Sequence, residues 1–187
     1  MHLDYLRDGR KSLPVIDDPL AIKSIRIWHC KYSSLQGISA LINLEELVVA
    51  SFPDASLAAI SSLSKLRYIR IVHLPKIANL EPLGGLGHVE SLSLSTLPTW
   101  DASGKTTVVK SLAPIASMLS LRHIELFGIR NREGSLSELK HCASVSSARF
   151  SQYAQSEVDG FYKSTGATNA FNPPPSFEGK PGHPKQN

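Results

Sequence analysis

The stretch from Leu57 to Leu97, LAAISSLSKLRYIRIVHLPKIANLEPLGGLGHVESLSLSTL, decides the fold. Its apolar residues advance in threes through Leu57, Ile60, Leu63, Leu66 and Ile69, and then by two to Ile71. The cycle repeats through Leu74, Ile77, Leu80, Leu83, Leu86, Val89 and Leu92, with the next step of two at Leu94. A step of two keeps successive apolar side chains on one face of an extended chain, so each marks a short strand. Steps of three fit a 3-10 return segment, in which i and i+3 eclipse.

The chain as a whole carries six blocks of the form apolar-x-x-apolar-x-apolar-x-x-apolar. They are Ile22/Ile25/Ile27/Cys30, Leu44/Leu47/Val49/Phe52, Leu66/Ile69/Ile71/Leu74, Val89/Leu92/Leu94/Leu97, Leu121/Ile124/Leu126/Ile129 and Val145/Ala148/Phe150/Tyr153. Their spacings are 22, 22, 23, 32 and 24 residues. Between them lie the triples Leu35/Ile38/Leu41, Leu57/Ile60/Leu63, Leu80/Leu83/Leu86, Leu112/Ile115/Met118 and Leu136/Leu139/Cys142, each ending three residues before the next block.

These blocks resemble the leucine-rich repeat family, in its short class of about 22 residues known from bacterial internalins and from a regulatory subunit of a eukaryotic protein phosphatase. The resemblance implies an α/β solenoid, right-handed, with a curved parallel sheet on the concave face and 3-10, short-helical or irregular returns on the convex face. The family's Asn at the turn off the strand is replaced here by Cys30, Phe52, Leu74, Leu97, Ile129 and Tyr153, of which only Cys30 conforms. Pro53, Pro75 and Pro98 follow and are expected to steer that corner through their fixed φ.

The expected organisation is an N-terminal cap over 1–21, a solenoid over 22–165 and a Pro/Gly-rich flexible tail over 166–187. In the cap, an extended Leu13–Ile16 segment is expected to pair with the first repeat strand. The long fourth unit places an insertion at 98–110, read as a loop bordering the concave face. Val158 and Phe161 continue the last repeat, and Ser164 ends it.

The chain of 187 residues is 42% apolar and only 7% aromatic, which suits an aliphatic core, and its net charge of +4 is mild. Residues 1–8 lack the apolar run of a secretory signal, and no stretch approaches the ~18 apolar residues of a membrane span, so a cytoplasmic, non-membrane protein is expected. Cys30 and Cys142, 112 residues apart, read as core thiols. His29 and His73 occupy one repeat position two strands apart, roughly 10 Å, too far to share a metal ligated at ~2 Å. Ser103-Gly104-Lys105-Thr106 resembles the end of a phosphate-binding loop, but position 99 is Thr where the motif needs Gly. No metal, cofactor or catalytic set is read, and the expectation is a non-enzymatic, monomeric module.

Residues between the inward positions line the concave surface in three columns. The first is Ser24, Glu46, Tyr68, Ser91, His123, Ser147; the middle is Arg26, Val48, Arg70, Ser93, Glu125, Arg149; the last is Trp28, Ala50, Val72, Ser95, Phe127, Ser151. Arg and aromatic residues are enriched in interface hot spots. The candidate partner-binding residues are therefore Arg26, Trp28, Tyr68, Arg70 and Val72, with a second cluster at His123, Phe127 and Arg149. The default for an outward strand residue is simple solvation, against which this reading stands. The expected partner is a protein, engaged by an adaptor or by an inhibitor or immunity partner. The alternative is a nucleic-acid or anionic-ligand binder using Arg26, Arg70, Arg122, Arg130, Arg132 and Arg149. Glu45, Glu46, Glu90 and Glu125 dilute that potential and make nucleic acid the weaker reading.

Overall fold

A computed structural model describes residues 1–179. Along the chain come β1 (His2–Leu6), β2 (Ser24–Trp28), β3 (Glu46–Ala50), β4 (Tyr68–Val72), β5 (Ser91–Ser95), α1 (Pro98–Ala102), β6 (Thr107–Val109), α2 (Ala113–Ala116), β7 (His123–Phe127), β8 (Ile129–Asn131), β9 (Ser147–Phe150) and α3 (Gln155–Thr165). Seven strands form one parallel sheet in the order β1-β2-β3-β4-β5-β7-β9, and β6 pairs with β8 in a second, two-stranded sheet. Short 3-10 turns at Gln36–Ala40, Ala58–Ile60, Glu81–Leu83 and Ser137–Leu139 make the returns. The architecture is a leucine-rich repeat solenoid.

Period two and period three do what the sequence dictates. Ile25, Ile27, Leu47, Val49, Ile69, Ile71, Leu92, Leu94, Ile124 and Leu126 point inward and are fully or almost fully buried, as are Leu57, Ile60 and Leu63 of the return opposite them. The strands pair in the repeat register, Arg26 beside Val48, Val48 beside Arg70, Arg70 beside Ser93, Ser93 beside Glu125 and Glu125 beside Arg149. That register lines the outward residues into columns. Cys30 and Cys142 are free thiols packed against the core, and burial pushes the Cys142 thiol up.

Four features depart from the sequence reading. First, the strand that pairs with β2 is β1 at His2–Leu6, not Leu13–Ile16. Leu3 and Tyr5 stand opposite Ile25 and Ile27, so residues 1–21 repeat the strand-and-return unit, with a 3-10 turn at Pro19–Ala21; Leu13 and Ile16 pack on the core from outside the sheet.

Second, the corner off six of the seven strands is turned by one left-handed residue placed beyond it, β5 being the exception: Arg7, His29, Ser51, His73, Gly128 and Gln152 all have φ between 51° and 68°. This residue also extends the strand-to-strand hydrogen bonding, as His73 N–H donates to the Ser95 carbonyl at 2.6 Å. Pro53 and Pro75 follow that turn and do not make it, and Pro98 opens α1. Carboxylates add a second brace that the pattern did not reveal: Asp54, Glu138 and Glu157 accept the backbone N–H of Leu35, Leu112 and Leu136 at the start of the preceding return.

Third, the 98–110 insertion is built, holding α1 and then β6. It runs along the C-terminal ends of the strands, where Trp100 meets His73 edge to face at 4.9 Å and Asp101 accepts from the Ser151 hydroxyl at 2.7 Å. Fourth, the segment after α3 does not leave the molecule. Gly166 turns it in the left-handed conformation (φ 72°), Ala148 N–H donates to the Thr168 carbonyl, and residues 168–179 then cross the concave face. Only 180–187 of the expected flexible tail lie outside the described residues.

A non-glycine residue at positive φ is strained. Ser51 sits at φ 68° whereas Ser61 sits at φ −62°. Ser51→Gly is expected to raise stability by about 0.5–1 kcal/mol, and Ser61→Gly to lower it slightly. The urea midpoints of the two variants against wild type check this.

Candidate functional site

The first column of the sheet begins with His2 and continues through Ser24, Glu46, Tyr68, Ser91, His123 and Ser147. Hydrogen bonds link neighbours along it, His2 Nδ1 to Ser24 Oγ at 2.8 Å and His123 Nδ1 to Ser147 Oγ at 2.7 Å. The latter pair is no nucleophile and base open to substrate, because Ser147 is 5% exposed. Its role is to tie β7 to β9.

Residues 171–177, Phe-Asn-Pro-Pro-Pro-Ser-Phe, form a strap across the columns. At one end the Arg149 guanidinium lies 3.6 Å from the centre of the Phe171 ring and 5.3 Å from that of Phe127. Asn172 N–H donates to Glu125 Oε1 at 3.0 Å, and its side-chain amide donates to Ser91 Oγ and the Leu92 carbonyl, each at 3.0 Å. Ser93 Oγ donates to the other Glu125 oxygen at 2.9 Å, which lets this carboxylate sit 8% exposed. At the far end Ser176 N–H donates to Glu46 Oε1 at 2.8 Å.

Phe177 then enters a pocket floored by Val48 and Tyr68 and flanked by Trp28. It stacks on His2 at 4.1 Å, and the Arg26 guanidinium lies 5.8 Å from its ring centre. Phe177 is 2% exposed, and burying such a ring contributes about 1.5–3 kcal/mol. Burial also raises the Tyr68 hydroxyl to about 12.

The strap is chemically suited to lie on a sheet it cannot join. Backbone groups of inner strands are spent on their neighbours. Pro173, Pro174 and Pro175 bring no N–H, and the two flanking N–H groups, at Asn172 and Ser176, are each met by a glutamate.

Of the residues expected to bind a partner, Arg26, Trp28 and Tyr68 come together, around Phe177. Arg26 is further committed by a two-point ion pair to Asp4 across β1, its Nε reaching Oδ1 at 2.9 Å. Arg70 and Val72 lie half-buried on β4 beside that pocket. The second cluster divides: Phe127 and Arg149 stack with Phe171, while His123, at the opposite end of β7, lines a cavity of about 650 Å³ with Ser24, Glu46, Tyr68 and Ser91, bordered on the strap by Pro173 and Ser176. Sequence reasoning passed over Glu46 and Glu125 as acceptors and Phe171, Asn172 and Phe177 as contacts.

The six arginines of the anionic-ligand reading do not gather. Arg26, Arg70 and Arg149 are separated in their column by Val48, Ser93 and Glu125, and Arg130 belongs to β8 of the second sheet. At Ser103-Gly104-Lys105-Thr106 a strand follows where a phosphate cradle needs a helix, and Lys105 Nζ rests 6.0 Å from the Trp100 ring centre. Among the described residues no helix is long and apolar enough to cross a membrane, and no three His, Cys, Asp or Glu side chains cluster as metal ligands.

Two measurements follow from this geometry. Phe177→Ala is expected to free the strap without melting the solenoid, costing at most about 3 kcal/mol and shifting tryptophan emission to the red as Trp28 is wetted. Burial holds His73 and His123 below the usual histidine range, with Arg122 adding to the effect at His123. The folded state therefore binds fewer protons than the unfolded chain, so stability present above about pH 6.5 is lost as pH falls through that value. Thermal unfolding at pH 7.5 and pH 5 is expected to show the drop, and His123→Asn to reduce it.

No family model matches the chain, and no curated protein matches it. Among solved structures it is similar to internalin C2 of Listeria monocytogenes, with 15% identity over 70% of this chain and 62% of that one, at a TM-score of 0.47. It is also similar to internalin F of the same species, with 18% identity over 78% of this chain and 46% of that one, at a TM-score of 0.49. The chain thus spans less than two thirds of the length of either internalin.

Proposed function

We propose that this protein is a non-catalytic protein-binding module that works through the concave face of its solenoid. The observation that carries the reading is the strap itself: this face already holds a polypeptide segment by side-chain contacts, on strands fixed by a continuous core. Beside the strap, Trp28, Arg70, Val72 and Phe127 are half-exposed on three strands of one sheet and extend the same surface. A surface preorganised in this way loses little entropy on association. The candidate set remains Arg26, Trp28, Tyr68, Arg70, Val72, His123, Phe127 and Arg149, with Arg70 and Val72 contacting the partner directly. An adaptor, or an inhibitor of another protein, acting as a cytoplasmic monomer without a cofactor, is the finer form of this proposal.

A photo-crosslinking amino acid placed at Val72, and in a separate protein at Ser62 on the convex returns, tests it in the native host. Protein adducts are expected at position 72 and not at 62, and the double substitution Trp28→Ala/Arg70→Ala is expected to abolish them. Equal adducts at both positions, or adducts indifferent to the double substitution, would sink the proposed face.

A further inference from the structure

The strap crosses the sheet without becoming part of it. Beyond Thr168 it makes no ladder with any strand, and its holds on the sheet are two carboxylates, one amide and two rings at its ends. It runs from β9, where Thr168 meets Ser147, to β3, where Ser176 meets Glu46, and the Phe177 ring reaches on to His2 of β1. The fit is incomplete in one respect. Among the described residues the second oxygen of Glu46 and the side-chain oxygen of Asn172 are buried with no hydrogen-bond partner. Phe171, moreover, is left 72% exposed above Arg149.

These features belong to a ligand more than to a structural layer, and we infer that residues 171–177 are a ligand carried in cis. The partner displaces it with an extended, proline-containing segment that presents two aromatic residues six positions apart. This rests on the concave-face reading above and names the chemistry that the face selects. The first aromatic ring stacks on Arg149; the second fills the pocket of Val48, Tyr68 and His2. Proline between them removes N–H groups that the sheet cannot accept. A partner gains over the strap by placing a hydrogen-bond donor on the unmet Glu46 oxygen. An Arg or Lys just before the second aromatic residue does so with a charge-assisted bond. Tethered to the solenoid, the strap competes at an effective concentration of order millimolar, so a free segment needs that advantage to enter.

The test uses the full chain with a protease site inserted after Ala170, so that the protein folds with its strap in place and is cut afterwards. The probe is a fluorescein-labelled synthetic peptide of residues 169–179. The cut protein, freed of its own strap by dialysis, is expected to bind the probe about tenfold or more tighter than the uncut chain. A peptide with Ala at both phenylalanine positions is expected not to bind. A peptide carrying Arg at the Ser176 position is expected to bind about tenfold tighter than the native sequence, and Glu46→Gln in the solenoid to erase that gain. Should the cut protein prove unstable, Phe171→Ala/Phe177→Ala in the uncut chain opens the same face and takes its place. No binding to either opened form, with circular dichroism unchanged, overturns the inference. So does a wild-type dimer that Phe177→Ala dissolves, because the strap then belongs to a second copy. Loss of peptide binding with crosslinking at position 72 intact refutes the cis-ligand inference alone. Peptide binding without any crosslinked partner refutes the concave-face reading instead.

Discussion

Each strand of the large sheet has to offer its neighbour two inward side chains at the same height. Leu47 and Val49 meet Ile69 and Ile71, which meet Leu92 and Leu94. A slip of one residue would turn those pairs outward and expose the core. Because this register cannot move, the residues between the inward pairs are fixed as well, and the concave columns are a by-product of core packing. The surface on which function is proposed inherits its rigidity from residues that never reach it.

Six of the seven strands of the large sheet let the chain leave in the same way. The left-handed residue at that point is the common device, and the side chain placed there differs from repeat to repeat because only its backbone is needed. Glycine is used once, at Gly128, where a Cβ would stand 2.3 Å from Thr96 Oγ1. Elsewhere the strain is carried by Arg7, His29, Ser51, His73 and Gln152, and the surrounding ladder bonds hold them in place. The 32-residue unit departs from this device, since β5 is left through Thr96, which donates to the Phe127 carbonyl without a left-handed turn. Its extra residues fold as α1 and β6 beside the strand ends, and β5 pairs with β7 as though nothing had been inserted.

Strands β2 to β5, β7 and β9 were legible in the sequence because a step of two set between steps of three switches the chain from return to strand and back within a few residues. Strand β1 was not, since the leading apolar position of its block falls before residue 1 and leaves only Leu3 and Tyr5 to mark it. The left-handed corners carry no compositional signal apart from Gly128. Among the site residues, the columns holding Tyr68, Arg70 and Arg149 were legible because strand alternation alone places them. The strap was missed for a different reason. Two phenylalanines among prolines average to a low apolar content, which reads as tail, and the hydrogen bonds that hold the strap join residues 47 to 130 positions apart. Spacing within a segment reports that segment's own geometry and says nothing of what lies opposite once the solenoid has closed.

What lies opposite also limits which sequences the face accepts. An inner strand of a parallel sheet commits most of its backbone to its neighbours; the Leu92 carbonyl also takes the Asn172 side-chain amide, while the strap's backbone N–H groups at Asn172 and Ser176 find side chains. Glu125 and Glu46 are the acceptors on β7 and β3, and the interval between them is filled by three residues that have no N–H. Replacing Pro175, the buried one of the three, by an ordinary residue would bring in a donor away from water, at the cost of an unmet polar group. The selectivity of the face for extended proline-containing chain therefore rests on that commitment of the sheet's backbone, and the Phe177 pocket and the Arg149 guanidinium add direction and position to it.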